Sequence, residues 1–333
     1  MVHRSAVVQQ LQQLDLGGAQ VDDRVFDFRS WPDTTLAPFS GRQDDLTIHS
    51  TKFAELASGM SLGENMNFID RYGEWALIAG ASEGTGASFA RKLAERGMKL
   101  VLVARREGPL QALAEEIRGK HGVECVTTSI DLAHDDASRR VIAAVGSREI
   151  GLFINNVGGD PNNSTFLEAE LAKWEKLMWL DAVNVMRNCH HFSRPMRDRG
   201  KGGIILVGSG VCYGGLNGKA VYSGVKAFDL CFGEALWAEL RGFGVHVLNL
   251  VLGKTDTPEH RRVLAECGLP VPDDMASADD VAALGLERLP HGPVCNWGSG
   301  DNEPGFSPNT PAQRRERILA VEAISRAYTT QQH

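Results

Sequence analysis

The sequence is short of the features that mark several functional classes. Its six cysteines (Cys125, Cys189, Cys212, Cys231, Cys267, Cys295) include no C-x-x-C pair. Their scatter suggests neither a zinc knuckle nor a disulfide framework, and fits reduced thiols in a core. No apolar run approaches the roughly 18 to 20 residues of a membrane-spanning helix. The start, MVHRSAVVQQLQQLDLGG, lacks the apolar stretch and small-residue cleavage site of a secretory leader. These absences predict no membrane span and a cytoplasmic protein. A formal charge of −7 with no Lys/Arg run argues against nucleic acid as a partner. His190 and His191 are adjacent and face different sides of a helix, poor spacing for a metal, and no metal site is expected.

What is present is length and order. At 333 residues and 43% hydrophobic, the chain can bury a large core. Residues 1–70 are turn-rich and without a sustained period, and read as an N-terminal extension or arm. From Trp75 onward, short apolar runs alternate with amphipathic helical stretches: WALIA, KLVLVA, VECVTTSI, GLFIN, GIILVGS and VHVLNLVL, with GPVCNWG as a possible last strand. One helix is expected to start at Gly84, one to run through FLEAELAKWEKL and beyond, and one to span about residues 220 to 240. Strands apolar throughout and separated by helices predict a parallel sheet covered on both faces. The expected fold is α/β, a doubly wound Rossmann-type domain over 71–300, with 255–290 as a substrate lid and 301–333 as a C-terminal helical tail.

The stretch LIAGASEGTGASFARKLAERGMKLVLVARR places Gly80, Gly84 and Gly86 at the first strand-to-helix turn. Bare backbone before a helix N-terminus makes an anion site suited to a pyrophosphate. The spacing G-x-x-x-G-x-G differs from G-x-G-x-x-G, and a tight connection would also explain it. The second strand ends in Arg105 and Arg106 where a carboxylate would accept the hydroxyls of an adenosine ribose. Two guanidiniums suit a 2′-phosphate, which favours NADP(H), with NAD(H) possible. The plain alternative is a solvated helix start, with Glu107 able to pair with either arginine.

On the helix after GIILVGS, Tyr222 and Lys226 stand at i, i+4 on one face. A cation there can favour phenolate and bring a pKa near 10 down toward working pH. Ser209 ends the preceding strand 13 residues before Tyr222 and can hold a carbonyl oxygen while the phenol protonates it.

These residues, with Asp131-Leu132 after the third strand and Asn155-Asn156-Val157-Gly158 after the fourth, resemble the short-chain dehydrogenase/reductase family over about residues 72 to 260. The resemblance implies that Ser209 positions the carbonyl, that Tyr222 is the acid or base, and that Lys226 lowers its pKa and binds the nicotinamide ribose. It places the turn residues Gly80, Ser82, Glu83, Gly84, Thr85 and Gly86 on the cofactor, with Arg105 and Arg106. Asp131, Leu132 and the Asn155 segment would line its adenine and ribose side. Gly253, Thr255 and Thr257 fall in a segment similar to the family's Pro-Gly stretch, with Leu252 in place of the proline. The family also carries an asparagine 28 residues before the serine to hold a relay water, and here that position is Asp181. Asn184, one helical turn on, could substitute only with a shift of register.

Tyr72-Gly73-Glu74-Trp75-Ala76, the run 97–102 and Glu149-Ile150-Gly151 are most similar to the steroid dehydrogenase and 3-ketoacyl-CoA reductase branch. The expectation is a bulky apolar ketone or alcohol as substrate, and a homodimer or homotetramer paired through the helices carrying Asp181 and Tyr222. Two other readings stay open: a catalytically weak or inactive NADP-binding sensor or scaffold, and a methyltransferase, which leaves Ser209, Tyr222 and Lys226 unexplained.

Overall fold

The structure, a computed structural model, describes residues 67–160, 164–266 and 268–299. The expected arm, apart from residues 67–70, and the expected tail lie outside the described residues. A short helix, α1 (Phe68–Tyr72), leads into β1 (Trp75–Ala79), α2 (Gly84–Glu95), β2 (Lys99–Ala104), α3 (Glu107–His121), β3 (Cys125–Ser129), α4 (Ala137–Val145) and β4 (Ile150–Asn155). Helix α5 (Leu171–Met178) then widens into a π turn (Trp179–Val183) and continues as α6 (Asn184–Asp198). There follow β5 (Gly202–Ser209), α7 (Ala220–Leu240), β6 (Val245–Leu252), β7 (Thr255–Asp256), α8 (Pro258–Glu266), β8 (Ala276–Ser277), α9 (Ala278–Arg288) and β9 (Val294–Asn296).

Among the described residues, seven strands form one sheet in the order β3-β2-β1-β4-β5-β6-β9, every pairing parallel. The apolar runs are buried on both faces because alternate side chains serve opposite helix layers. Ala76, Ile78, Leu100 and Leu102 pack with Phe89, Leu93, Leu110 and Ile117 of α2 and α3. Leu77, Ala79, Val101 and Val103 pack with Val141, Phe192 and Met196 of α4 and α6. Removing a ring such as Phe89 or Phe153, both fully buried, costs ~3–5 kcal/mol. Strand order reverses between β1 and β4, which opens a crevice at the carboxyl ends of the strands.

Local chemistry sets the element ends. Gly122 closes α3 in the left-handed region at φ 67°. The Ser277 hydroxyl accepts from the backbone N–H groups of Asp279 and Asp280, and these two acids sit in the first turn of α9. With that cap, α9 buries Val281, Ala282 and Leu286 in the core. Gly285 lets α9 close on α2, since a Cβ there would lie 2.9 Å from Phe89 Cζ. The expected lid over 255–290 therefore divides: α9 is core, and the part near the crevice ends before it. The π turn is the other departure from the expected helix, adding a residue to the turn that carries Asp181. No helix among the described residues is long and apolar enough to cross a membrane.

Candidate active site

A cleft of about 920 Å³ runs across the carboxyl ends of the strands. At one end lies the glycine turn. Gly80 (φ 80°) and Gly84 (φ 56°) occupy the left-handed region, where side chains are disfavoured. A Cβ on Gly84 would meet Thr257 Cγ2 at 2.9 Å, and one on Gly86 would meet Gly80 O at 2.0 Å. The Asn156 side chain donates to Gly80 O at 3.1 Å and fixes the turn against β4. Gly86 is thus a packing residue, while Gly80, Ser82, Glu83, Gly84 and Thr85 line the cleft.

Glu83 stands at the start of α2 and makes no side-chain cap. Its carboxylate instead pairs with Arg106 at the end of β2, at 2.5 Å, and with Arg262 from α8. Partial burial works against the Glu83 charge, but bonds from the two guanidiniums prevail and hold the carboxyl below its ordinary range. Glu107 is therefore not the partner of Arg106. Arg105 lines the same end of the cleft, as do Asp131 and Leu132; Asp131 Oδ1 accepts from Ala133 N at 3.0 Å, which turns the chain out of β3.

Farther along, Ser209, Tyr222 and Lys226 line the cleft with Val157, Gly158, Gly253 and Thr255, while Asn156 and Thr257 stand beside the glycine turn. Ser209, at the end of β5, and Tyr222, in the first turn of α7, line the same stretch of the cleft. Asn155 is buried under β4's end, outside the cleft lining. Asp181 is fully buried and also off the cleft wall. It lies behind Lys226, with Oδ1 3.5 Å from the ammonium. Asn184 does not replace it: its amide donates to Leu132 O and His134 O and ties α6 to the loop after β3.

The sequence reading missed Asp229. One turn beyond Lys226 on α7, its Oδ2 is 3.2 Å from the Lys226 ammonium. The signal was present as an acid at i+3 from the lysine. Lys226 does pull the Tyr222 pKa down, as expected, but that pull is outweighed. Burial dominates and pushes the phenol up; Lys226 and, less strongly, the nearby Ser209 hydroxyl oppose this, and Asp181 adds to it.

The residues at the turn end fit a dinucleotide. Glycines leave the backbone open, the first-turn amides of α2 lack intrahelical partners by helix geometry, and two arginines stand at the adenosine end. Thr255 Oγ1 is buried without a hydrogen-bond partner among the described residues. No group of three His, Cys, Asp or Glu residues among the described residues is placed to hold a metal.

A model of a known family, described as short chain dehydrogenase, matches residues 74–267. A 7beta-hydroxysteroid dehydrogenase of Collinsella aerofaciens is 36% identical over 195 residues, covering 58% of this chain and 73% of the relative. A very-long-chain 3-oxoacyl-CoA reductase of Neurospora crassa is 33% identical over 189 residues, covering 56% of this chain and 57% of the relative. A solved short-chain dehydrogenase from Sphingobium yanoikuyae in complex with NADPH superposes with a TM-score of 0.61 at 26% identity, covering 76% of this chain and 95% of that one.

Proposed function

The chain belongs to the short chain dehydrogenase family, and from that premise we propose that it is an NADP(H)-dependent oxidoreductase interconverting a bulky apolar secondary alcohol and its ketone. The observation that carries the reading is the meeting of Ser209, Tyr222 and Lys226 on the wall of one cleft that also takes in the glycine turn. Leu177, Leu180, Val207, Leu252 and Val263 give that cleft apolar walls. A steroid or a long-chain acyl ketone fits such walls, and relatives named for each class support it.

In this reading the first turn of α2, with Ser82 and Thr85, holds the pyrophosphate, and Arg105 and Arg106 hold the 2′-phosphate. Asp131 and Leu132 border the adenosine, and Thr255 and Thr257 border the nicotinamide. The bound cofactor supplies or accepts the hydride. Ser209 fixes the substrate oxygen, and Tyr222 gives its proton to that oxygen in reduction or takes it in oxidation. Lys226 stabilises the phenolate that reduction leaves. Exposed Met178, Met186 and Phe228, on the helices around Asp181 and Tyr222, support subunit pairing through that face.

Tyr222→Phe is expected to lower turnover by at least 100-fold with NADPH affinity changed less than about threefold, read by NADPH oxidation against steroid and long-chain ketones and by fluorescence titration. Turnover retained in Tyr222→Phe would remove Tyr222 from the chemistry. Tight cofactor binding with no turnover in the parent chain would favour a sensor or scaffold.

A further inference from the structure

Asp229 is a buried carboxylate with no assigned task. It is 2% exposed, does not line the cleft, and lies nearer to the Lys226 ammonium (3.2 Å) than Asp181 does (3.5 Å). Asp229 Oδ1 has no hydrogen-bond partner among the described residues. Asp181 is 0% exposed and Lys226 2% exposed. Gly158 packs closely on the group, for a Cβ there would lie 2.5 Å from Lys226 Nζ and 2.7 Å from Asp181 Oδ1. Lys226 also points at the carbonyls of Val157 and Val207, at 3.5 and 3.4 Å.

The charges facing this group come from four elements. Helix α7 supplies Tyr222, Lys226 and Asp229, and the π turn supplies Asp181. Helix α6 supplies the buried Cys189 thiol, raised by burial and by Asp229. The loop after β4 supplies Asp160, which acts on Tyr222 and is itself paired with Lys219 at 3.2 Å. Among the described residues, one ammonium therefore faces two buried carboxyl groups, and no second cation is paired with either. Leaving a net negative charge there is strongly unfavourable, whereas one added proton makes the group neutral.

We propose that Asp181 and Asp229 share one proton around Lys226, with Asp229 the ionised counter-ion that holds the ammonium and Asp181 the carboxyl that carries the proton. The directions of titration agree. Asp181 is pushed up to about 7, first by burial, then by Asp229, against the pull of Lys226. Burial raises Asp229 as well. Such a pair titrates as a unit. When the proton leaves to solvent, the group gains a negative charge beside Tyr222, and the phenol becomes a weaker acid. Asp229 is thus a positioning residue acting through Lys226, and the shared proton sets how readily Tyr222 becomes the base that alcohol oxidation needs.

The proposal extends the reaction proposed above, but its first test does not depend on turnover. Infrared difference spectra of the ligand-free, full-length protein, titrated from about pH 5 to about pH 9, report a protonated buried carboxyl through its carbonyl stretch. The parent chain is expected to hold that band at about pH 6 and to lose it by about pH 8.5. Asp181→Asn and Asp229→Asn each leave one carboxylate for one ammonium, and each is expected to abolish the band. Absence of the band in the parent, or its survival in either variant, overturns the shared proton. In alcohol oxidation, Asp181→Asn is expected to move the rising limb of the pH profile down by about one unit, a gain of about tenfold on that limb. An unchanged profile overturns the link to Tyr222. A chain that shows the band yet turns nothing over refutes the proposed reaction and leaves the shared proton standing.

Discussion

The cleft has a charge cluster at each end, and the two are built on opposite terms. Glu83 sits between Arg106 and Arg262 at the rim, with side chains 25 to 42% exposed. Lys226 sits between Asp181 and Asp229, with side chains 0 to 3% exposed. At the rim Arg106 and Arg262 share Glu83, Glu259 gives Arg262 a second carboxylate, and water can take over any contact that is lost. Pairs of that kind contribute ~0–1 kcal/mol. In the interior no water substitutes, so each charge state is dictated by the others. The rim can therefore exchange partners when an anion arrives, and the interior holds its composition and can change only its proton count.

Lys226→Met breaks the interior cluster and should have the largest effect. It leaves two buried carboxyls without a cation, a loss of about 3–5 kcal/mol, together with loss of turnover. The sign with pH follows from Asp181, whose folded-state pKa of about 7 lies above the ordinary 3.8. A raised carboxyl stabilises the fold below its unfolded value, and that contribution is lost as pH rises toward the folded value. Without Lys226 the loss steepens, so the melting temperature of Lys226→Met should fall further below the parent at about pH 8 than at about pH 5.5. Equal deficits at both pH values would mean that the carboxyls do not titrate with the lysine.

The two ends also differ in how much the sequence disclosed. The strands, the glycine turn and the helix over 220 to 240 were legible because burial on both faces leaves a continuous apolar run, and i, i+4 spacing fixes which side chains share a face. Ser209, Tyr222 and Lys226 were therefore found together. Asp229 was legible in principle, three residues past Lys226 in the same helix, but an acid at i+3 reads equally as a solvated face. Its burial comes with the packing of α7 against a π turn that has no propensity signal of its own. The partner of Arg106 was beyond reach: Glu107 is its neighbour in sequence, whereas Glu83 and Arg262 are brought together across a separation of 179 residues. The placement of α9 in the core was announced by Ser277 followed by two acids, a cap signal that the lid expectation passed over.

At the rim, the substitution with the larger effect is Arg106→Ala. The guanidinium pairs with Glu83 and, in the proposed complex, would hold the 2′-phosphate, where a charge-assisted hydrogen bond contributes ~1.5–3 kcal/mol. NADPH affinity should fall about 10- to 100-fold while NADH affinity changes little, as read by paired titrations. Stability should move by less than about 0.5 kcal/mol, because the side chain is exposed enough for water to replace its partner. An equal loss for both cofactors would place Arg106 on the turn itself and not on the 2′-phosphate.

Glu83→Gln is the smallest change and the one that separates the two ends most cleanly. It removes the carboxylate that competes with a phosphate for Arg106 and Arg262, without altering the backbone of the glycine turn. Arg106, then released while Glu259 still holds Arg262, should bind NADPH a few-fold more tightly, and the gain should shrink with salt, since screening at about 0.5 M leaves little of an exposed pair. The matching removal in the interior, Asp229→Asn, should be insensitive to salt because its partners see no ions. If Glu83→Gln instead weakens NADPH binding, the carboxylate is holding the arginines in place and not competing with the ligand, and the rim would then be as fixed as the interior.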